Sequence, residues 1–159
     1  MDKLWAPWRI NYVRAKKLTG CIFCKARRPG VKSYLVFKTR HSVCMLNAFP
    51  YNNGHLMVSP IRHKADLSEL TEIEALDLFR SINKAKSLLE KVLQPQGYNI
   101  GINISSASGA GIAGHLHVHI VPRWFGDTNF MPVVFGTKVV SQSLEELKRK
   151  LKDAESEAD

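Results

Sequence analysis

Gly114-His115-Leu116-His117-Val118-His119-Ile120-Val121-Pro122 is the stretch on which the reading of this chain turns. Polar and apolar residues alternate along it, and successive side chains of an extended chain point to opposite faces. A strand here puts His115, His117 and His119 on one face and Leu116, Val118 and Ile120 on the other, against a core. Three of the protein's six histidines fall within five positions. An apolar face is easier to bury, so the row points to chemistry. Imidazoles titrate near neutrality and act as acid, base or nucleophile, and two or three on one face also suit a metal. The preceding loop, Ser105 to Gly114, is built of small residues. Gly109, Gly111 and Gly114 let backbone N–H groups approach an anion, or form a plain flexible connector.

Outward from this row the chain alternates between strand and helix signals. Tyr34-Leu35-Val36-Phe37 and Ser42-Val43-Cys44-Met45-Leu46 read as a hairpin, followed by the Pro50-Tyr51-Asn52-Asn53-Gly54 turn. His55-Leu56-Met57-Val58-Ser59 reads as a third strand stopped by Pro60. Leu70, Ile73, Leu76, Phe79, Ile82, Leu89 and Val92 recur at helical spacing, with a capping box at Thr71 and Glu74 and an end at Gln94-Pro95-Gln96-Gly97. Tyr98 to Ile104 alternates like a half-buried strand. From about Ser143, Leu144, Leu147 and Leu151 predict a C-terminal helix. The acidic 152–159 tail is expected to fray. Residues 1–33 read as an irregular basic arm carrying Trp5, Trp8 and Tyr12. These elements predict one domain over residues 1–159, of α+β class. It has an antiparallel sheet of about five strands, one long helix packed on it and a C-terminal helix.

The 159 residues include 23 Lys and Arg against 14 Asp and Glu, a net charge of +9. Residues 1–65 hold 13 basic side chains and one acidic one, a local charge of +12, and the remainder carries −3. Such a half attracts an anionic partner, or serves as a solvated surface. No apolar run reaches the roughly 20 residues of a membrane helix. The first nine residues lack the apolar stretch of a signal peptide, which predicts a soluble, cytoplasmic protein with no membrane partner. Trp5, Trp8 and Trp124 suit either base stacking or anchoring in a core or interface.

Cys21-Ile22-Phe23-Cys24 is a C-x-x-C pair. It reads as a redox couple or as half a zinc site, and the βαβ context of a thioredoxin-like motif is absent. Cys44 lies in an apolar run and reads as core. A zinc-stabilised nucleic-acid-binding module would use the C-x-x-C pair and the basic charge. It leaves the histidine row and glycine loop unexplained, and there is no second C-x-x-C, so nucleic acid is not the expected partner.

The run from Gly114 to Arg123 matches the H-φ-H-φ-H-φφ signature of the histidine triad (HIT) superfamily. The chain resembles that family over about nine-tenths of its length. "NNGHLMVSP" with Ile61-Arg62-His63, Tyr98 through Asn103, Arg123-Trp124-Phe125-Gly126-Asp127-Thr128-Asn129-Phe130 and Leu4-Trp5-Ala6-Pro7-Trp8-Arg9 resemble the branch acting on diadenosine polyphosphates. The resemblance implies a HIT-like fold, a homodimer and a nucleotide substrate. It implies a nucleotidyl hydrolase or transferase cleaving dinucleoside polyphosphates at the α-phosphorus, with phosphorolysis as the alternative. His117 is the implied nucleophile, forming a nucleotidyl-histidine, and His119 and His115 complete the implied catalytic set. Nucleotide-binding roles fall on Asn47 (ribose), His55 (orienting the triad), Asn103, Gly109, Gly111 and His119. The family's Ser or Thr three residues before the triad is Ile112 here, and the Gln before that is Gly111, so that side-chain role does not carry over. Zinc-containing relatives imply a structural zinc on Cys21, Cys24, His63 and His115, with His55 or His41 as replacements for His63. No organic cofactor is implied.

Overall fold

The alternation read in the sequence becomes a sheet with two differently covered faces. The computed structural model describes residues 20–28, 33–127 and 142–157. Its strands are β1 (Leu35–Lys38), β2 (Ser42–Leu46), β3 (Leu56–Pro60), β4 (Gly97–Ile102) and β5 (Val118–Arg123), and its helices are α1 (Ile22–Ala26), α2 (Glu72–Leu93) and α3 (Leu144–Ser156). The sheet runs β1-β2-β3-β5-β4 and every neighbouring pair is antiparallel. The expected α+β architecture is thus observed, with the long helix and the C-terminal helix in place.

Register decides which side chains share a face. β3 and β5 pair Leu56 with Ile120, Met57 with His119 and Val58 with Val118, and directly paired residues point the same way. Leu56, Val58, Val118 and Ile120 join Cys44, Leu46 and the buried residues of α2 and α3 in the main core. His55, Met57 and His119 take the other face. Met45 pairs with Met57, and α1 covers both methionines with Phe23 and Ala26 in a second, smaller core. The histidines therefore sit beside the small core. β5 itself begins at Val118, later than the alternation suggested. Its ladder to β3 stops at the Val58 pair, near Pro60, which has no N–H to donate. His115 and His117 lie in the segment leading into the strand, tethered where the Leu116 N–H donates to the Lys64 carbonyl at 2.6 Å.

The long helix forms as expected, but on a different face. The Thr71 hydroxyl accepts from the Glu74 N–H at 3.3 Å and the Glu74 carboxylate accepts from the Thr71 N–H at 3.0 Å, closing the capping box. Arg62 pairs with the same carboxylate. The buried positions are Glu74, Leu78, Ser81, Ala85, Leu88 and Leu89. Ile73, Leu76 and Phe79, expected to face inward, are 66%, 52% and 66% exposed. The helix carries two apolar stripes. The one with small residues at Ser81 and Ala85 lies against the sheet, where side-chain size limits how closely the helix approaches.

Two further expectations change. Residues 22–26 of the basic arm form a helical turn, closed by the Lys25 N–H on the Cys21 carbonyl at 3.0 Å. The acidic tail does not fray from residue 152. α3 continues through Ser156, with Ala154 buried and Glu155 paired to Lys84 at 2.8 Å. Trp5, Trp8, Tyr12 and Thr128-Asn129-Phe130 lie outside the described residues. Among the described residues no helix is long and apolar enough to cross a membrane.

Gly54 closes the turn into β3 at a φ of +77°, and a Cβ there would stand 2.5 Å from Leu93 Cδ1 and 3.1 Å from both Leu89 Cδ2 and Pro122 Cγ. Gly54→Ala combines left-handed strain with overpacking. It is expected to lower unfolding stability by about 2–4 kcal/mol, read as a lower urea midpoint at an unchanged slope. An unchanged midpoint would contradict this packing.

Candidate active site and metal-ligand cluster

Backbone groups at both ends of the histidine face dictate where each ring proton sits. His117 Nδ1 lies 2.8 Å from the His115 carbonyl oxygen. A carbonyl only accepts, so Nδ1 carries the proton and Nε2 holds the lone pair. At the other end the Tyr51 N–H donates to His55 Nδ1 at 3.1 Å, and the Asn47 amide nitrogen lies 3.3 Å from the same atom. His55 must then donate through Nε2, which lies 2.9 Å from His119 Nδ1. His119 is left with its proton on Nε2. One ring of the row thus offers a lone pair and its neighbour an N–H donor, with centroids 4.9 Å apart. The rings are buried, from 0% exposed at His55 to 9% at His119. Burial, reinforced by neighbouring imidazoles, pushes His55 down to about 3 and His119 to about 4, and burial lowers His117 as well. All three are neutral at pH 7, the state in which imidazole is nucleophilic.

His115 turns to a different task. Its Nε2 lies 2.9 Å from the Pro60 carbonyl oxygen, which fixes the proton there and leaves the lone pair on Nδ1. Around that Nδ1 stand Cys21 Sγ at 3.1 Å, His63 Nδ1 at 3.1 Å and Cys24 Sγ at 3.7 Å, with Cys24 Sγ 3.5 Å from His63 Nδ1. One ring nitrogen cannot serve three hydrogen-bond partners. Four donors within 4.8 Å of one another instead mark a common centre. Tetrahedral zinc with Zn–S near 2.3 Å and Zn–N near 2.0 Å separates its ligands by about 3.3–3.8 Å, close to these distances. The N₂S₂ set and the backbone acceptor behind His115 also fit zinc. Cys21, Cys24, His63 and His115 are thus brought together. His55 is committed to His119, and His41 is not in the cluster. Cys44 is fully buried in the main core, and burial pushes its thiol up.

The other expected site residues divide. Asn47 closes a local turn, its Oδ1 accepting from the Phe49 N–H at 2.9 Å, while its amide nitrogen faces His55. Asn103 follows β4, half-buried. Gly109 adopts a φ of +88° in open space, and its amide donates to the Ser106 carbonyl at 3.1 Å. Gly111 is exposed. Ile112 packs against the small core, which accounts for an apolar residue where the family has a hydroxyl. Trp124 donates its indole N–H to the Gln94 carbonyl at 3.3 Å, docking at the end of α2.

Two residues were not singled out from the sequence. Phe23, between the cysteines, lies against His115 and His117. Tyr51 stacks on His55 and His119, with centroids 4.6 and 5.6 Å away. The available signals were weak: an aromatic inside a C-x-x-C pair, and one four residues before His55.

The depressed imidazoles make stability depend on acid. The unfolded chain takes up histidine protons near pH 6.5, whereas His55 and His119 in the fold resist to about 3 and about 4. Their neutral burial is therefore matched above pH 6.5 and opposes folding progressively as pH falls below it. Urea unfolding at pH 7.5 and 5.0 is expected to give a lower midpoint in acid. His55→Gln should reduce that difference, and an equal difference in wild type and variant would contradict the assignment.

Residues 28–126 match the HIT domain family model. A Mycobacterium tuberculosis protein named AP-4-A phosphorylase is 34% identical over 161 residues, covering 95% of this chain and 83% of that one. A Schizosaccharomyces pombe protein named bis(5'-nucleosyl)-tetraphosphatase [asymmetrical] is 35% identical over 105 residues, 66% of this chain and 57% of that one. The crystal structure of a Zn-bound histidine triad family protein from Mycobacterium smegmatis shares the fold at a TM-score of 0.70 and 24% identity, covering 87% of this chain and 95% of that one. The triad row, its backbone anchors and these matches together make the chain a member of the HIT domain family.

Proposed function

We propose that this protein cleaves dinucleoside polyphosphates at the α-phosphorus through a covalent intermediate on His117. Family membership and relatives named as a phosphorylase and a tetraphosphatase make the chain a nucleotide hydrolase or transferase that processes dinucleoside polyphosphates. The observation that carries the finer reading is the paired tautomers: a lone pair on His117 Nε2 beside an N–H on His119 Nε2. In the proposed reaction Nε2 of His117 attacks the α-phosphorus and the bond to the bridging oxygen breaks. The departing nucleoside polyphosphate receives the His119 hydrogen bond. An acceptor then attacks the phosphorus, the P–N bond breaks and the His117 lone pair is restored. Asn47 is assigned to the ribose, through the lone pair of Oδ1 that the Phe49 amide does not use. Asn103 is assigned to the bridging oxygen and Gly111 to a phosphate oxygen.

Water as acceptor makes the enzyme a hydrolase. Phosphate makes it a phosphorylase, a reading favoured by the likeness to AP-4-A phosphorylase over 95% of the chain. Zinc on Cys21, Cys24, His63 and His115 is assigned a structural role, tying α1 to the chain before β5. It takes no part in the phosphorus chemistry. A homodimer is assigned to the β4 edge, where Asn99, Ile100 and Gly101 are exposed at the end of the strand order. Sedimentation giving a monomer at assay concentrations would remove the dimer.

Three results are expected. With diadenosine tetraphosphate alone, a hydrolase yields AMP plus ATP; if products appear only with inorganic phosphate and are ADP plus ATP, the enzyme is a phosphorylase. His117→Ala should lower either rate about 10³-fold or more, and an unaffected rate would exclude His117 as the nucleophile. Metal analysis of the purified protein should find zinc at one equivalent per chain, lost in Cys24→Ser. A metal-free wild type after expression in zinc-replete medium would overturn the zinc assignment.

A further inference from the structure

The turn that supplies the two thiols holds between them a side chain that is neither ligand nor reacting group. Phe23 is 0% exposed. Its ring centroid lies 5.0 Å from that of His117, with the planes at 35°, and 5.2 Å from that of His115, at 54°. The rest of its surface meets Ala26, Met45 and Met57 in the small core. One phenyl ring therefore touches both the imidazole assigned to attack and the imidazole in the metal-ligand cluster.

We propose that Phe23 is a positioning residue for His117, through which the turn from Cys21 through α1 holds the nucleophilic Nε2 in line with the α-phosphorus. The proposal rests on reading His117 as the nucleophile. A single hydrogen bond from Nδ1 to the His115 carbonyl leaves the ring free to rock, because acceptor geometry at a carbonyl is broad. Reacting groups must be held within about 0.5 Å and 10–20° of the productive geometry. His119 supplies one restraint, edge-on at 73°. A second restraint cannot be a polar group without competing for the Nε2 lone pair. A phenyl face restrains the ring and offers neither a proton nor an acceptor in the imidazole plane. The C-x-x-C spacing fits this arrangement: with both thiols directed at His115 Nδ1, the helical turn between them carries Phe23 onto the adjacent rings.

General packing makes a different prediction, because an aliphatic chain fills the small core nearly as well. The test compares Phe23→Leu and Phe23→Met with Met45→Leu, which alters the same core from β2, with β3 between it and β5. For the two Phe23 variants kcat is expected to fall about 10- to 100-fold, with KM within about twofold of wild type and zinc content unchanged. Met45→Leu is expected to retain kcat. The independent readout is the ring-nitrogen NMR spectrum of ¹⁵N-histidine-labelled protein. His117 should give one sharp Nδ1-protonated signature in wild type and Met45→Leu, and broadened or split signals in the Phe23 variants. Wild-type kcat together with a wild-type His117 spectrum in Phe23→Leu or Phe23→Met would overturn the proposal. So would an equal loss of kcat in Met45→Leu, which would assign Phe23 to general packing. If the wild-type protein turns over no dinucleoside polyphosphate, the functional reading fails on its own, and the spectra still decide whether Phe23 orders His117.

Discussion

The hydrogen bond from His117 Nδ1 to the His115 carbonyl is the constraint on which the rest of the site depends. It keeps the proton on Nδ1 and the lone pair on Nε2, the atom proposed to attack the substrate. The complementary restraint comes from the Tyr51 amide, relayed through His55 to His119. Both anchors are backbone groups, and backbone groups do not titrate. The division into lone-pair ring and N–H ring is therefore built into the chain path, and it survives as long as the Tyr51–His55 turn and the His115–His117 segment keep their shape. Gly54 and the register between β3 and β5 hold that shape from below.

The two faces of the sheet divide the work. One carries the main core under α2 and α3, which supplies most of the buried apolar surface. The other carries a small core under α1, and there the histidines, the methionines and the two cysteines meet. His115 belongs to both systems: its Nδ1 joins the thiols and His63, while its carbonyl restrains His117. A group held at the cysteines thus meets the same residue, His115, whose carbonyl sets the tautomer of His117.

Much of this was legible in the sequence. The triad row, the hairpin and the capping box at Thr71 are local patterns, and local patterns survive folding. The C-x-x-C pair with His63 and His115 came from resemblance, and the fold brings those four residues to one centre. What failed required knowledge of packing. Ile73, Leu76 and Phe79 have helical spacing as good as that of Leu78, Ala85 and Leu88, and only the close seat on the sheet selects the stripe with small residues. Phe23 and Tyr51 were missed because contacts with rings distant in sequence leave no periodic trace.

The central claim is a covalent bond between His117 Nε2 and the α-phosphorus. The most direct measurement is to mix enzyme with excess diadenosine tetraphosphate, quench within the first turnover in base, where a phosphoramidate survives, and analyse the intact protein and its peptides by mass spectrometry. The account predicts one adenylyl group per active chain, acid-labile and confined to the peptide containing His117. An adduct on another residue would contradict it. So would turnover with no adduct at any quench time, together with inverted configuration when a single α-phosphorothioate diastereomer of the substrate is hydrolysed in ¹⁸O-water, because direct attack by the acceptor would then replace the histidine.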